Sequence, residues 1–213
     1  MIIKQFLDFF LHLDDHVSEF VITYGSMTYL LLFAIVFVET GLVIMPFLPG
    51  DSLLFAAGAT SAISSLRFSI LWAGFIIAAL LGDNLNYWVG RKIGSWIYEK
   101  ESSFINKKYV DDTQSYYDKY GAITVIIARF MPFVRTFAPF VAGVGKMKYP
   151  LFLLYSIVGA IVWVTLFLTV GFYFGQLPFV KNNFAFVSLA IVGVSLLPII
   201  YKIVLNKFRK KII

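Results

Sequence analysis

The chain alternates long apolar blocks with short polar interruptions, and the interruptions carry the proline. Met27 to Leu48 is apolar apart from Glu39 and runs into Pro46, Pro49, Gly50 and Asp51. A helix has to break there, because proline lacks the amide hydrogen and clashes with the preceding turn. Ser52 to Leu66 is apolar again but short of the roughly 20 residues a spanning helix needs, so residues 27–66 are predicted to form a re-entrant hairpin. The next block reaches spanning length, residues 68–90, only by taking in Asp83, Asn84 and Asn86. Asp83 is then expected about 22 Å along it, near the far head groups. Residues 91–120 form the one extended polar stretch; Trp96, Phe104, Tyr109 and Tyr116 mark it as a segment resting on the membrane surface. Residues 121–147 turn apolar but hold Arg129, Pro132, Arg135 and Pro139, which predicts a second hairpin. Residues 149–176 and 184–205 are free of charge up to the basic tail and read as transmembrane helices. Near the start, Phe6, Phe9, Phe10, Leu13, Val17 and Phe20 fall on one face, with Asp8, Asp14, Asp15 and Glu19 elsewhere. This spacing predicts an interfacial helix over 5–22.

Composition supports a membrane reading and closes off others. Apolar residues make up 60% of the 213 and charged residues 14%, against about 25% charged in soluble domains. A soluble globule is excluded, and residues 1–213 are expected to form a single all-α integral membrane domain. There is no cysteine, hence no disulfide, thiolate metal site or cysteine nucleophile. The net charge of +6 does not point to nucleic acid, because the basic excess lies at the edges of apolar blocks.

The chain also repeats itself. Phe55, Gly58, Gly74 and Gly90 recur as Phe140, Gly143, Gly159 and Gly175 at an offset of 85, and Met45-Pro46-Phe47 is answered by Met131-Pro132-Phe133. A hairpin that enters and leaves on one side, followed by one crossing helix, leaves the second copy upside down relative to the first. The expected architecture is therefore an inverted repeat of hairpin plus transmembrane helix, with one further C-terminal span, a plan common among secondary transporters. Charge placement agrees. Thirteen of the 18 Lys and Arg fall on the face holding 91–120, the 146–149 corner and the C-terminal tail; Lys4, Arg67 and Lys181 fall on the other. The C-terminus is thus expected in the cytoplasm.

Four charges remain inside the predicted hairpins: Glu39, Asp51, Arg129 and Arg135. Each costs about 2.5 to 3.5 kcal/mol at the bilayer centre unless it is compensated. They can latch the repeats together as ion pairs. They can also form a wet substrate site, with Arg129 and Arg135 binding an anionic head group and Glu39 and Asp51 carrying coupling protons. Helix N-termini after Pro49-Gly50 and after Pro139 would add backbone donors.

Glu39-Thr40-Gly41, Pro46-Phe47-Leu48-Pro49-Gly50-Asp51, Gly82-Asp83, Gly90-Arg91, the run from Arg129 to Pro139, and Gly143 occur in an order and spacing that resembles the DedA family, also called the VTT or SNARE-associated membrane domain. The resemblance implies a bacterial inner-membrane protein that moves lipids across the bilayer. It further implies proton coupling, a phosphate-bearing substrate such as undecaprenyl phosphate or a phospholipid, and functional roles for Glu39, Asp51, Arg129 and Arg135.

Other features carry ordinary readings. His12 and His16 lie one turn apart near Asp15 and Glu19, but an interfacial helix needs polar residues there anyway, and no metal or cofactor is expected. Asp83 is either an accessory to the proton path, a helix cap or a partner of Arg91. Gly171 and Gly175 predict close helix packing. An intramembrane lipid-modifying enzyme is disfavoured, since no cysteine exists and both histidines lie in the N-terminal helix. A proton-coupled ion antiporter accounts for the acids and leaves the deep arginines without a task.

Overall fold

A computed structural model of the chain describes residues 13–42, 50–99, 123–184, 186–187, 190–191 and 193. The described residues are mostly helical, with no strand among them. In chain order the helices are α1 (Leu13–Tyr24), α2 (Met27–Gly41), α3 (Gly50–Ser61), α4 (Phe68–Glu99), α5 (Ile123–Arg129), α6 (Pro132–Val144), α7 (Tyr149–Phe174) and the short α8 (Pro178–Asn182). Two are long and apolar enough to cross a membrane, α4 over Phe68–Gly94 and α7 over its 26 residues. The arms expected of the two hairpins correspond to α2 with α3 and to α5 with α6. Residues 5–12, 100–120 and most of 184–205 lie outside the described residues, as do Pro46, Pro49 and His12.

Two expectations need correction. Helix α4 does not stop at 90 but runs on to Glu99, because nothing between Asp83 and Glu99 breaks a helix. The second break falls at Phe130-Met131, and α6 begins at Pro132 and continues through Pro139. Proline at a helix start gives up an amide that would be unpaired anyway. Pro139 removes only the ladder bond to the Arg135 carbonyl, so the N-terminus placed after Pro139 does not exist.

Helix pairing crosses the repeat. The most extensive packing is α6 on α4 and α3 on α7, rather than either arm on its own sequence neighbour. A Cβ at Gly58 would strike the backbone of Leu168 and Phe172, and one at Gly143 would strike that of Tyr87 and Arg91. Gly143 is Gly58 shifted by 85, and Tyr87 is Phe172 shifted back by 85. Gly171 and Gly175 meet Phe55 and Ala59 in the same way, the close packing their spacing predicts. The equivalent helices α4 and α7 run antiparallel: the Phe68 ring meets Phe172 at 5.4 Å, Trp72 Nε1 donates to Thr165 Oγ1 at 2.8 Å, and Tyr87 stacks on Phe152 at 4.5 Å.

The molecule is built inside out for water. Helix α7 exposes Leu151, Leu154, Val158, Ile161, Val162, Leu166 and Val170, and α4 exposes Ile70, Ile77, Leu81 and Leu85. The same two helices bury Ser156, Asp83 and Asn86. Such a surface suits hydrocarbon, and such an interior marks a functional or pairing role for the polar groups. Helix α3 packs along α7, and all 12 of its residues are buried; its Ala, Gly and Ser side chains allow that closeness.

Candidate functional site: a buried charge network at the two helix breaks

The helix breaks deliver the charges. Glu39 lies in the last turn of α2, Asp51 in the first turn of α3, Arg129 at the end of α5 and Arg135 in the first turn of α6. A continuous helix would spread such residues over different heights and faces; two breaks meeting tip to tip bring them together. With Asp83 from α4, all are between 1% and 6% exposed.

Arg135 is the hub. It donates through one terminal nitrogen to Glu39 Oε1 and through the other to Asp51 Oδ1. The Glu39 carboxylate also accepts from the backbone amide of Gly50 at 3.0 Å, so it sits on the N-terminus of α3, where the helix dipole favours negative charge. A Cβ at Gly50 would collide with that carboxylate, so a side chain here would displace Glu39 from its place. Asp51 Oδ1 accepts a second bond, from Trp163 Nε1 on α7 at 2.8 Å. Two atoms of the triad have no hydrogen-bond partner among the described residues, Glu39 Oε2 and Arg135 Nε.

Arg129 does not join Glu39 and Asp51. Its guanidinium pairs with Asp83, and Ser156 donates to the same Asp83 oxygen. The expectation of Arg91 as a possible partner of Asp83 is thereby corrected. Because α4 continues for four more turns, Asp83 falls near its middle, and the antiparallel crossing sets Ser156 opposite it. Arg91 instead donates to the Tyr87 hydroxyl at 2.8 Å. The indole of Trp163 joins the two clusters: the guanidinium carbons of Arg129 and Arg135 lie 5.8 Å and 5.2 Å from its ring centroid, within range of cation–π attraction.

Trp163, Ser156 and Asn86 were not legible as site residues. Asn86 Nδ2 donates to the carbonyls of Thr40 at 2.6 Å and Thr136 at 3.3 Å, tying both breaks to α4. In sequence each is one polar or aromatic residue in an apolar run, and only the mid-span position of Ser156 and Asn86 could have hinted at a partner. At the other end of the chain, His16 Nδ1 lies 4.0 Å from Glu19 Oε2.

Antiparallel apolar helices enclosing opposed buried charges define a polytopic helical membrane protein. The family model of the VTT domain matches residues 48–173, over half the chain, and the chain belongs to this family, the DedA proteins. It is 45% identical to Protein DedA of Escherichia coli over 204 residues, covering 94% of this chain and 93% of that protein. It is 44% identical to an uncharacterized membrane protein of Mycobacterium tuberculosis, covering 82% and 78% of the two chains. Against the inner membrane protein YghB of Salmonella typhimurium the identity is 32%, with 74% and 73% covered. No solved structure matches the chain.

Proposed function

We propose that this protein is a transporter of the bacterial inner membrane, without enzymatic activity, that moves a phosphate-bearing lipid across the bilayer in exchange for protons. Undecaprenyl phosphate and the anionic phospholipids are the substrate classes in view. The two broken-helix pairs act as re-entrant hairpins of an inverted repeat whose tips meet near the midplane, with the C-terminus cytoplasmic.

The observation that carries this reading is the imbalance of the triad: among the described residues two buried carboxylates share one arginine, and Glu39 Oε2 and Arg135 Nε have no hydrogen-bond partner. An uncompensated buried charge is costly. A proton on either acid would neutralise the triad and loosen its hold on Arg135, whose planar fork matches phosphate oxygens. Phosphate and carboxylate then compete for one guanidinium, and this competition couples proton uptake to lipid binding. The Asp83–Arg129–Ser156 cluster is balanced and serves to hold the repeats together.

The test is transport of a labelled lipid phosphate in proteoliposomes, with and without a proton gradient. Arg135→Ala is expected to lower transport about a hundredfold or more in protein that still runs as a folded species, and Glu39→Gln to remove dependence on the gradient. The complete pairing of Asp51 and Arg129 favours a second reading, in which the network is only a latch. That reading gains if every variant of Glu39, Asp51 and Arg135 loses fold and transport together.

A further inference from the structure

A second basic site lies away from the network, at the end of the molecule where α6 turns into α7. A cleft of about 860 Å³ opens there, lined by Arg91, Lys146 and Lys148 and walled by the rings of Trp88 and Tyr149. Leu151 and Leu154, 43% and 56% exposed, continue the wall along the outer face of α7. Three cations at the head of an apolar slope match one kind of ligand, an anionic head group carrying acyl chains. Trp88 and Tyr149, in contact at 5.4 Å, are the residues expected at head-group depth. Counting along α4 and α7, the cleft lies roughly 11 Å from the Asp83–Ser156 contact, so it is a separate site.

The backbone supplies an independent sign. Helix α6 ends in a capping turn in which Lys146 N–H donates to the Gly143 carbonyl at 3.0 Å and Met147 N–H to the Ala142 carbonyl at 3.0 Å. Lys146 occupies the left-handed position of this turn, at φ 53°. Glycine is the usual occupant of that position, and a lysine there holds a strained conformation. Strain of this kind persists where a side chain has a task.

We infer that this cleft is a docking site for a phospholipid with an anionic phosphate head group, seated on Lys146, Lys148 and Arg91 with its chains along Leu151 and Leu154. The inference needs only a bilayer-embedded chain and does not rest on the transport reading.

Native mass spectrometry of the full chain in neutral detergent, titrated with dioctanoyl phosphatidic acid or dioctanoyl phosphatidylcholine, tests it. Phosphatidic acid is expected to bind more tightly than phosphatidylcholine. The double variant Lys146→Gly/Lys148→Gln should bind phosphatidic acid about thirtyfold more weakly. The single variant Lys146→Gly should weaken binding while melting no lower than the parent, because glycine relieves the turn. Lys181→Gln, on α8 and outside the cleft, should bind as the parent does. Equal binding of the two lipids, or parent-like binding by the double variant, overturns the site. Displacement of the lipid by an equal concentration of inorganic phosphate would make the ligand a free anion and overturn the lipid assignment. Loss of binding in Arg135→Ala alone would place the lipid at the network instead, which defeats this inference and leaves the transport reading standing.

Discussion

At the residue scale, the buried arginines have different partners and should behave differently. Arg129 meets one acid and one hydroxyl, whereas Arg135 meets two acids. Removing one member of a buried pair strands the other, at a cost of about 3 to 5 kcal/mol. Asp83→Asn and Arg129→Gln should each destabilise the fold by that order, read as a lower midpoint of thermal unfolding in detergent, and the double variant should lose less than the two combined, as a double-mutant cycle will read. A strictly additive cycle would mean that the pair does not act as a unit. Sequence made Glu39, Asp51, Arg129 and Arg135 visible because charges in apolar runs demand compensation. It left the partners open, because pairing depends on which helix faces which. That Arg129 and not Arg91 is the partner of Asp83 follows only from the crossing of α4 with α5 and α7.

At the scale of elements, the fold depends on close backbone approach between arms and long helices from opposite copies of the repeat. Gly58 and Gly143 hold equivalent places in the two interfaces, so Gly58→Ala and Gly143→Ala should destabilise alike, by about 1 to 3 kcal/mol each. Gly193, with none of the described residues within 4 Å of a Cβ, is the control, and Gly193→Ala should leave the melting temperature unchanged or raise it slightly. Unequal effects at Gly58 and Gly143 would argue against equivalent interfaces. The glycines were legible in sequence as a spacing, and so was the break before Pro132. That Pro139 sits inside α6 was not, because proline statistics describe isolated helices and not one held along its length by α4.

For the whole molecule, the orientation proposed from the lysine and arginine distribution has the 146–149 corner on the cytoplasmic side and the 62–67 turn on the other. Since the chain has no cysteine, single cysteines can report this directly. Ser65→Cys should react with a membrane-impermeant maleimide in inner-membrane vesicles only after permeabilisation, and Lys148→Cys without it. The reverse pattern would invert the proposed orientation. Sequence by itself determined that the chain belongs in a membrane, that its motifs recur at an offset of about 85, and that its helices break beside four charges. Hydropathy, repeat spacing and proline are properties a residue carries with its neighbours in the chain. Tertiary structure decided that α3 packs on α7 and α6 on α4, that Arg135 serves two acids while Arg129 serves Asp83, and that Trp163 lies against both arginines. The ion pairs among those contacts join residues 46 to 96 positions apart, and only the packing of antiparallel helices fixes which of them meet.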